Sequence, residues 1–284
     1  LGVSIDGPAR AHDRLRGNLG SHAAAFKALR NAREVGLTIS SNMQINRLNR
    51  DMLEEHADRL QDEGVQAWPV QLTGPLGRAA DQPDWIVEPW MVVPIIDTLA
   101  KIQARAMERY RANGEVGIPF NVFANNNIGY FGPHEQILRS RPLGKETHWH
   151  GCMAGIYSVG IESDGTIKAC PTLPTEPYRA GNIKDVSLAE LWESAELMRF
   201  ARDRDIETLW GFCRTCYYAE VCHAGCNWMT HTTFGRRGNN PFCYHRVKQL
   251  EKKGIREKLV PSQPAPGKPY DFGIFELVEE PYEQ

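Results

Sequence analysis

Cysteine is missing from the first 151 residues of this 284-residue chain, and all seven cysteines lie between Cys152 and Cys243. An excess of one charge is also missing, since 33 Lys and Arg stand against 35 Asp and Glu. Without a broad positive surface, binding through phosphate contacts is disfavoured, and we expect no nucleic-acid partner. The longest apolar run, residues 90–96, is interrupted by Pro94 and cannot span a bilayer, so we expect no membrane partner.

The start of the chain has no initiator methionine, no basic leader and no apolar signal core. Residues 1–7 have the pattern of a strand that runs straight into a turn. A domain that begins inside a strand would leave an open sheet edge, which natural domains avoid. We therefore expect an N-terminal part to precede Leu1.

Strand-like and helix-like segments alternate through residues 1–80. Ser21 is a candidate N-cap and Gly36 a candidate stop for a helix whose apolar residues recur at helical spacing. This alternation predicts an α/β fold with a parallel sheet and right-handed crossovers. The predicted strands are residues 1–7, 37–45 and 65–72, and a second helix runs from Asn49 to Gly64.

Residues 81–150 are predicted to form a helical linker region. Its main element is a helix from Pro89 to about Ala112, and a loop with three consecutive Asn residues follows over 121–133. From residue 151 the sequence changes to short strands, turns and cysteines, which predicts a second, smaller domain over residues 151–260.

Turn and cap signals organise the C-terminal half. Asp164-Gly165 lies between two β-prone runs and predicts a hairpin. Ser187 begins a capping box for a helix that reaches about Phe200. Residues 261–284 carry five Pro and a Glu-rich end, so we expect an extended C-terminal tail there, for which Tyr270, Phe272 and Phe275 are the candidates to pack it back onto the protein.

The seven cysteines have spacings suited to metal ligation rather than to a disulfide framework, because their number is odd and they are clustered. Two residues separate Cys213 from Cys216, five separate Cys216 from Cys222, three lie before Cys226 and sixteen before Cys243. Upstream, Cys152, Gly165 and Cys170 are spaced by twelve and four residues. Clustered ligating thiols indicate a reducing compartment, for which we expect the cytoplasm.

Soft sulfur ligands select zinc, copper(I) or iron–sulfur clusters. Seven thiols exceed the four that one tetrahedral zinc needs, and two zinc sites would require a histidine such as His223 or His245 to join them. The spacing therefore favours iron–sulfur clusters and leaves zinc as the alternative.

The complete spacing pattern resembles the seven-cysteine signature of the SPASM domain, which is the C-terminal extension of many radical S-adenosylmethionine (SAM) enzymes. Gly181-Asn182-Ile183, Ser187-Leu188 and Leu191-Trp192 resemble the link between the two halves of that domain. The resemblance implies two auxiliary [4Fe–4S] clusters. Cys213, Cys216, Cys222 and Cys243 would ligate one cluster fully, and Cys152, Cys170 and Cys226 would hold the other with one iron open.

Residues 1–80 resemble the later strands of a radical SAM barrel. Residues 3–8 with His12-Asp13 and Arg16-Gly17 would be the fourth strand and its loop, 40–46 the fifth, and 70–72 the sixth. The implied fold is the C-terminal part of a partial (β/α)6 TIM-like barrel over residues 1–80, followed by a small α+β cysteine-rich SPASM domain.

The resemblance also implies contacts to SAM at the carboxyl ends of these strands. Ser4 and Arg16 match positions that touch the ribose or carboxylate of SAM in related enzymes. Asn42, Gln44 and Asn46 alternate along one strand and would face one side, where they either bind a ligand or pair with neighbours. No catalytic residue is assigned, and Pro171 stands where sulfatase-maturing relatives carry an acidic residue.

One motif of the family is absent. Radical SAM enzymes hold their reactive cluster with CxxxCxxC, and this chain has no such motif. We expect this chain alone to be inactive, as a fragment of a longer enzyme or a divergent relative, with a third cluster in the missing N-terminal part.

The resulting functional prediction is the C-terminal portion of a radical SAM/SPASM maturase. The full-length enzyme would use a 5′-deoxyadenosyl radical to modify a peptide or protein, with an external electron donor and with the auxiliary clusters serving electron transfer or substrate binding. The alternative is a non-catalytic zinc or iron–sulfur module that acts as a scaffold or electron carrier.

Overall fold

The computed structural model describes residues 1–268 and 270–282. Its N-terminal part alternates strands and helices, as predicted. The elements are β1 (Gly2–Ser4), α1 (Ala9–Arg16), α2 (Ser21–Glu34), β2 (Ser40–Ile45), α3 (Leu53–Asp62), β3 (Ala67–Leu72), α4 (Val92–Ala112), β4 (Asn121–Ala124) and α5 (Glu135–Arg139).

The four strands form one parallel sheet in the order β1-β2-β3-β4. The predicted α/β class with a parallel sheet is therefore confirmed. The fourth strand corrects the prediction of a loop over 121–133, because Asn121–Ala124 pairs with Ala67–Val70 of β3. Val122 and Ala124 are buried, and the run of Asn residues that follows them concealed this short apolar strand.

The sheet has two unlike faces. Along β2 and β3 successive residues alternate between half-buried and buried, which is the period-2 pattern of a sheet covered on one side. Ser4, Asn42 and Gln44 lie on the half-buried face, since Ser4 pairs with Asn42 in the parallel register. The buried face joins the main core with side chains that include Phe26, Leu29, Met43, Leu60, Trp68, Leu99 and Val122.

The C-terminal half contains short elements. They are β5 (Gly160–Ile161), β6 (Thr166–Lys168), α6 (Thr175–Tyr178), β7 (Gly181–Asn182), α7 (Leu188–Ser194), α8 (Glu196–Arg199), α9 (Ala219–Cys222), α10 (Asn227–Phe234), α11 (Tyr244–Glu251), β8 (Ile255–Gln263) and β9 (Ile274–Pro281).

The turn and cap signals of this half correspond to real features. β5 and β6 pair antiparallel around Asp164-Gly165, and the Asp164 carboxylate accepts the Thr166 N–H at 2.9 Å. Ser187 Oγ accepts the Glu190 N–H at 3.2 Å. The helix predicted from that cap to residue 200 is interrupted at Ala195, which has extended backbone and separates α7 from α8.

The last segment differs from the predicted extended tail. β8 and β9 pair antiparallel from Ile255 opposite Pro281, so most of residues 261–284 belongs to a hairpin. Phe275 of β9 and Leu259 of β8 are buried in the main core, and this apolar packing anchors the two strands to the rest of the protein. Residue 269 and residues 283–284 of the predicted tail lie outside the described residues.

The two halves share one core. Met229, Phe234 and Phe242 from the cysteine-rich half belong to the same buried cluster as the sheet residues. A Cβ built on Gly74 would lie 2.6 Å from the Trp228 ring, so glycine is needed for that close approach. In the part of the chain that the structure describes, no helix is both long and apolar enough to cross a membrane.

Candidate functional site

All seven cysteines are free thiols, and three of them lie at the ends of short helices. Cys222 ends α9, while Cys226 and Cys243 are the residues just before α10 and α11. Cys213 lies in a single 3-10 turn over Gly211–Thr215, and Cys216 follows that turn. Such positions leave backbone amides free to donate to sulfur.

Four of the thiols line one small cavity. Its walls bring together Cys213, Cys216, Cys222 and Cys243, and they include Tyr130, Phe131, Phe212, Tyr218 and His245. These are the four cysteines that the SPASM resemblance assigns to one cluster. We call them the four-thiol group.

Electrostatic coupling within the four-thiol group shows how close its members are. Burial raises the pKa of Cys222 well above its usual value, and the negative charges of Cys243 and Cys213 raise it further. Burial likewise raises the pKa of Cys243 to about 12. Thiols held together in this state are neutral without a metal, and binding a cation would release their protons.

Backbone amides already point at the sulfurs of the four-thiol group. The N–H groups of Asn240, Tyr218 and Arg246 donate to Cys213, Cys216 and Cys243 at 3.4, 3.4 and 3.5 Å respectively. Near the fourth sulfur, the Gly225 N–H donates to the carbonyl oxygen of Cys222 at 3.1 Å. Amide donors of this kind stabilise thiolate and tune cluster potential, so this donor set fits an iron–sulfur cluster.

The remaining thiols, Cys152, Cys170 and Cys226, form a second group, which we call the three-thiol group. Burial raises the pKa of Cys226 to about 12, and the charges of Cys152 and Cys170 contribute to the same rise. Cys170 Sγ lies 3.0 Å from Thr172 Oγ1. None of these three thiols is among the residues that line the cavity of the four-thiol group.

Tyr130 contacts a member of each thiol group and is a residue that sequence reasoning missed. Its buried hydroxyl accepts the Cys226 N–H at 3.1 Å, and its carbonyl oxygen lies 3.6 Å from Cys243 Sγ. Burial raises the pKa of Tyr130 well above its usual value, and the charge of Cys226 adds to the rise. Tyr130 is 96 residues from Cys226, so no local sequence signal could have linked them.

Arg246 was also missed. It is buried and donates through Nε and Nη2 to the two carboxylate oxygens of Glu257 at 2.7 and 2.6 Å. Its positive charge acts to lower the pKa values of Cys213 and Cys243, which opposes the effect of burial. A fixed cation beside four sulfurs offsets the negative charge that a thiolate-bound cluster carries.

A mononuclear metal site requires ligands that lie close together. Among residues 1–268 and 270–282, no three His, Cys, Asp or Glu side chains are close enough to hold one metal ion. Ligands of a mononuclear zinc lie about 2.3 Å from the metal, which requires a much tighter group than ligands spread over a cluster of four irons.

The predicted SAM contacts have mixed surroundings. Asn42 and Gln44 are half-buried on one face of β2, together with Ser4 of β1. The Asn46 side chain is buried in a turn, where its amide donates to Thr73 Oγ1 at 3.1 Å and its oxygen accepts the Leu48 N–H at 2.9 Å. The structure therefore groups three of these side chains and ties Asn46 to neighbouring residues.

Arg16 is engaged in a buried network. Its Nε donates to Asp6 Oδ2 at 2.7 Å, while the other carboxylate oxygen of Asp6 accepts the Gln44 N–H at 2.9 Å. The Asp6 N–H donates to His12 Nδ1 at 3.0 Å. These contacts fix the loop after β1, and the Arg16 side chain remains 37% exposed.

Comparison with known proteins gives similarities to one domain family and to several enzymes. Residues 152–217 match the SPASM model, described as an iron–sulfur cluster-binding domain. An AdoMet-dependent heme synthase of Methanosarcina barkeri is 26% identical over 249 residues, covering 87% of this chain and 67% of that protein. The chain is a homologue of radical SAM/SPASM enzymes.

A second radical SAM/SPASM relative is the pre-heme d1 synthase of Dinoroseobacter shibae, 25% identical over 232 residues, covering 78% of this chain and 55% of that protein. The chain thus spans between about half and two thirds of the length of these relatives. The recognition made from the cysteine spacing is confirmed.

Solved structures share the fold. Native anSMEcpe with bound AdoMet superposes with a TM-score of 0.58 at 17% identity, covering 87% of this chain and 64% of that one. SuiB of Streptococcus suis bound to S-adenosylmethionine gives 0.54 at 15% identity, covering 88% and 53%. Related structures include complexes of both proteins with peptides.

Proposed function

We propose that this chain is the C-terminal portion of a radical SAM/SPASM enzyme and that it holds two auxiliary [4Fe–4S] clusters. The observation that supports the proposal is that Cys213, Cys216, Cys222 and Cys243 line one cavity, whereas Cys226 is influenced by the charges of Cys152 and Cys170 outside it. A single structural metal would not require this division, whereas two clusters of unequal ligation would.

The four-thiol group would saturate one cluster with Cys213, Cys216, Cys222 and Cys243. Amide donors and the Arg246 cation surround it, and aromatic side chains line its cavity. A cluster so enclosed suits electron transfer. The three-thiol group would hold a second cluster and leave one iron free to accept a substrate atom, water or another ligand.

The sheet supplies the proposed SAM site. Parallel strands place ligands at their carboxyl ends, where Ser4 and Gln44 lie. We propose that residues 1–80 are strands four to six of a partial (β/α)6 barrel, and that Ser4, Asn42 and Gln44 face SAM on its inner side. Arg16 would present its free nitrogens to the carboxylate of SAM while Asp6 holds its Nε.

Reductive cleavage of SAM requires a cluster bound by the cysteines of a CxxxCxxC motif, and residues 1–151 contain no cysteine. A CxxxCxxC-bound cluster would supply the electron that splits SAM and yields the 5′-deoxyadenosyl radical. This chain would contribute the binding face for SAM and the auxiliary clusters, and an external electron donor would restore the reduced state. On this proposal the chain alone is inactive and works in the cytoplasm.

A peptide or protein is the first candidate substrate, supported by the fold shared with anSMEcpe and SuiB, both of which have been solved with peptides. A tetrapyrrole is the second candidate. It is favoured by the curated relatives, which are named as heme, pre-heme d1 and Fe-coproporphyrin III synthases.

Anaerobic purification with metal analysis tests the proposal. Two clusters predict about eight iron and about eight sulfide per chain, and a brown protein. A colourless protein with stoichiometric zinc and no sulfide would instead support the scaffold alternative. The Arg10→Gln variant, which changes an exposed residue of α1, provides a control for purification losses.

A further inference from the structure

A cleft of about 610 Å³ lies in the C-terminal half, on a face that neither the clusters nor SAM accounts for. Three arginines line it, Arg204, Arg236 and Arg237, together with the aromatic side chains of Tyr178, Phe200 and Trp210. We call it the arginine cleft. Its volume is within the range of sites that hold small organic ligands.

The guanidinium groups of the arginine cleft are held against aromatic rings. Arg236 lies 3.7 Å above the centroid of Trp210, and Arg237 lies 4.1 Å from that of Phe200. Stacking on a ring fixes the plane of a guanidinium while its N–H edges remain available. Within the described part of the chain, neither arginine forms an ion pair with a carboxylate.

The charge of the cleft is unbalanced. Glu207 is the carboxylate on its wall, and Glu207 is already paired with Arg214 outside the cleft. Arg204 donates to the His150 carbonyl at 3.0 Å and keeps its full charge. A concave surface with several uncompensated cations raises the local concentration of anions.

A buried histidine supplies the second, independent observation. His231 lines the cleft and is only 5% exposed, and its Nε2 has no hydrogen-bond partner in the described residues. The Tyr178 hydroxyl lies 2.9 Å from His231 Nδ1, and the Arg237 guanidinium lies 5.5 Å from the centroid of the Tyr178 ring. The hydrogen bond to Tyr178 occupies Nδ1 and leaves Nε2 as the ring nitrogen that a ligand can reach.

We propose that the arginine cleft is a binding site for a carboxylate-bearing organic ligand. Planar carboxylates match the fork of N–H donors on Arg236 and Arg237, and the aromatic walls accept an apolar body. The buried, unpartnered Nε2 of His231 would add a further polar contact to the ligand. The shared chemistry is the carboxylate, whether it belongs to an acidic peptide or to a tetrapyrrole.

The position of the cleft connects it with the three-thiol group. Asn227, which follows Cys226 directly, lines the cleft, and the charge of Cys170 reaches Tyr178. A ligand whose carboxylate is bound by the arginines would therefore have the rest of its molecule beside the three-thiol group, where the proposed cluster has one open iron. In this respect the inference rests on the proposed function, because it makes the ligand the substrate.

Calorimetric titration of the anaerobically purified, iron-containing protein tests the inference. The probes are coproporphyrin III, an Asp/Glu-rich octapeptide, and the same octapeptide with Asn/Gln replacing each acid. We expect one carboxylate probe to bind and the amide peptide to bind at least tenfold more weakly, and the probe that binds identifies the source of the carboxylate.

Variants localise the binding. Arg236→Gln changes an exposed side chain and should weaken binding of the carboxylate probe at least tenfold, and the double variant with Arg237→Gln should weaken it further. The matched control is Arg10→Gln on α1, which should leave the affinity unchanged. Failure of both carboxylate probes to bind iron-containing protein, or equal losses in Arg10→Gln, overturns the inference. Absence of iron would instead count against the proposed function.

Discussion

The hydroxyl of Tyr130 accepts the backbone N–H of Cys226 at 3.1 Å. This bond connects the loop after β4 to Cys226, the N-cap residue of α10. The same hydroxyl lies 3.4 Å from Asn240 Nδ2 and donates to the carbonyl of Asn126. A single buried oxygen thereby fixes the positions of segments that carry both thiol groups.

Removing that oxygen tests its role. Tyr130→Phe leaves the Cys226 N–H buried without an acceptor, and we expect a loss of about 1–3 kcal/mol in the free energy of unfolding. The measurement is denaturant unfolding of the iron-containing protein, together with the EPR spectrum of the reduced clusters. Tyr157→Phe is the matched control, because Tyr157 is 83% exposed and its loss should change neither quantity. Equal behaviour of the two variants would contradict the assigned role.

The buried Arg246–Glu257 pair should be far more sensitive than a surface pair. Glu257→Gln leaves the guanidinium buried without its carboxylate, which is expected to destabilise the fold by about 3–5 kcal/mol. Glu280→Gln removes the half-exposed partner of Arg256 on the same hairpin and should cost about 0–1 kcal/mol. Denaturant midpoints of both variants compare them, and a similar small loss in both would show that Arg246 is solvated.

A histidine gives the fold a pH dependence. Burial lowers the pKa of His56 to about 4, so this imidazole is neutral in the folded protein and takes up a proton more readily when unfolded. Stability is therefore complete above pH 6.5 and falls as the pH is lowered towards 4, by at most about 3 kcal/mol from this residue.

Unfolding free energies of wild type and His56→Gln between pH 7.5 and 4.5 measure that effect. The variant should lose less stability over this interval, whereas His148→Gln, which alters an exposed histidine, should follow the wild type. His231 also has a pKa lowered to about 4 by burial, so part of the slope should remain in His56→Gln. A slope that is unchanged in this variant would refute the prediction.

The hairpin before Cys170 depends on glycine. Gly165 has φ +92°, and an added Cβ would lie 2.8 Å from Asn182 Oδ1. Gly254 has φ +71° with open space around it, so Gly254→Ala carries the backbone cost of about 1–2 kcal/mol without the clash. We expect Gly165→Ala to be less stable than Gly254→Ala and to retain less iron, since it disturbs the segment that carries Cys170. Thermal unfolding and iron content of the two variants check this order.

Part of the fold was predictable because local patterns agree with the tertiary structure. The helical spacing of Phe26 and Leu29 and the alternation along β2 decide the α/β class without long-range information. β4 and the β8–β9 hairpin were not predictable in this way. Asn residues follow β4 and prolines interrupt the β8–β9 hairpin, so neither has a clear strand pattern. Packing on the shared core stabilises both elements.

The residues of the site were predictable only where they form a motif of characteristic spacing. The cysteines are recognised from their spacing. Tyr130 and Arg246 belong to no local motif, and their role is evident only from their burial beside the cysteines in the folded protein. Asn46 shows the opposite effect. Its alternation with Asn42 suggested a shared ligand face, but the chain turns at residue 46 and uses the amide within the turn.

The most direct test of the account is the iron content of paired cysteine variants. Cys226→Ser should remove the cluster of the three-thiol group and lower iron from about eight to about four per chain. Adding Cys152→Ser should remove no more, because both residues belong to one group, whereas adding Cys243→Ser should leave almost none. If the Cys152 and Cys243 additions have equal effects, or if the wild-type protein contains zinc in place of iron, the division into two clusters is wrong.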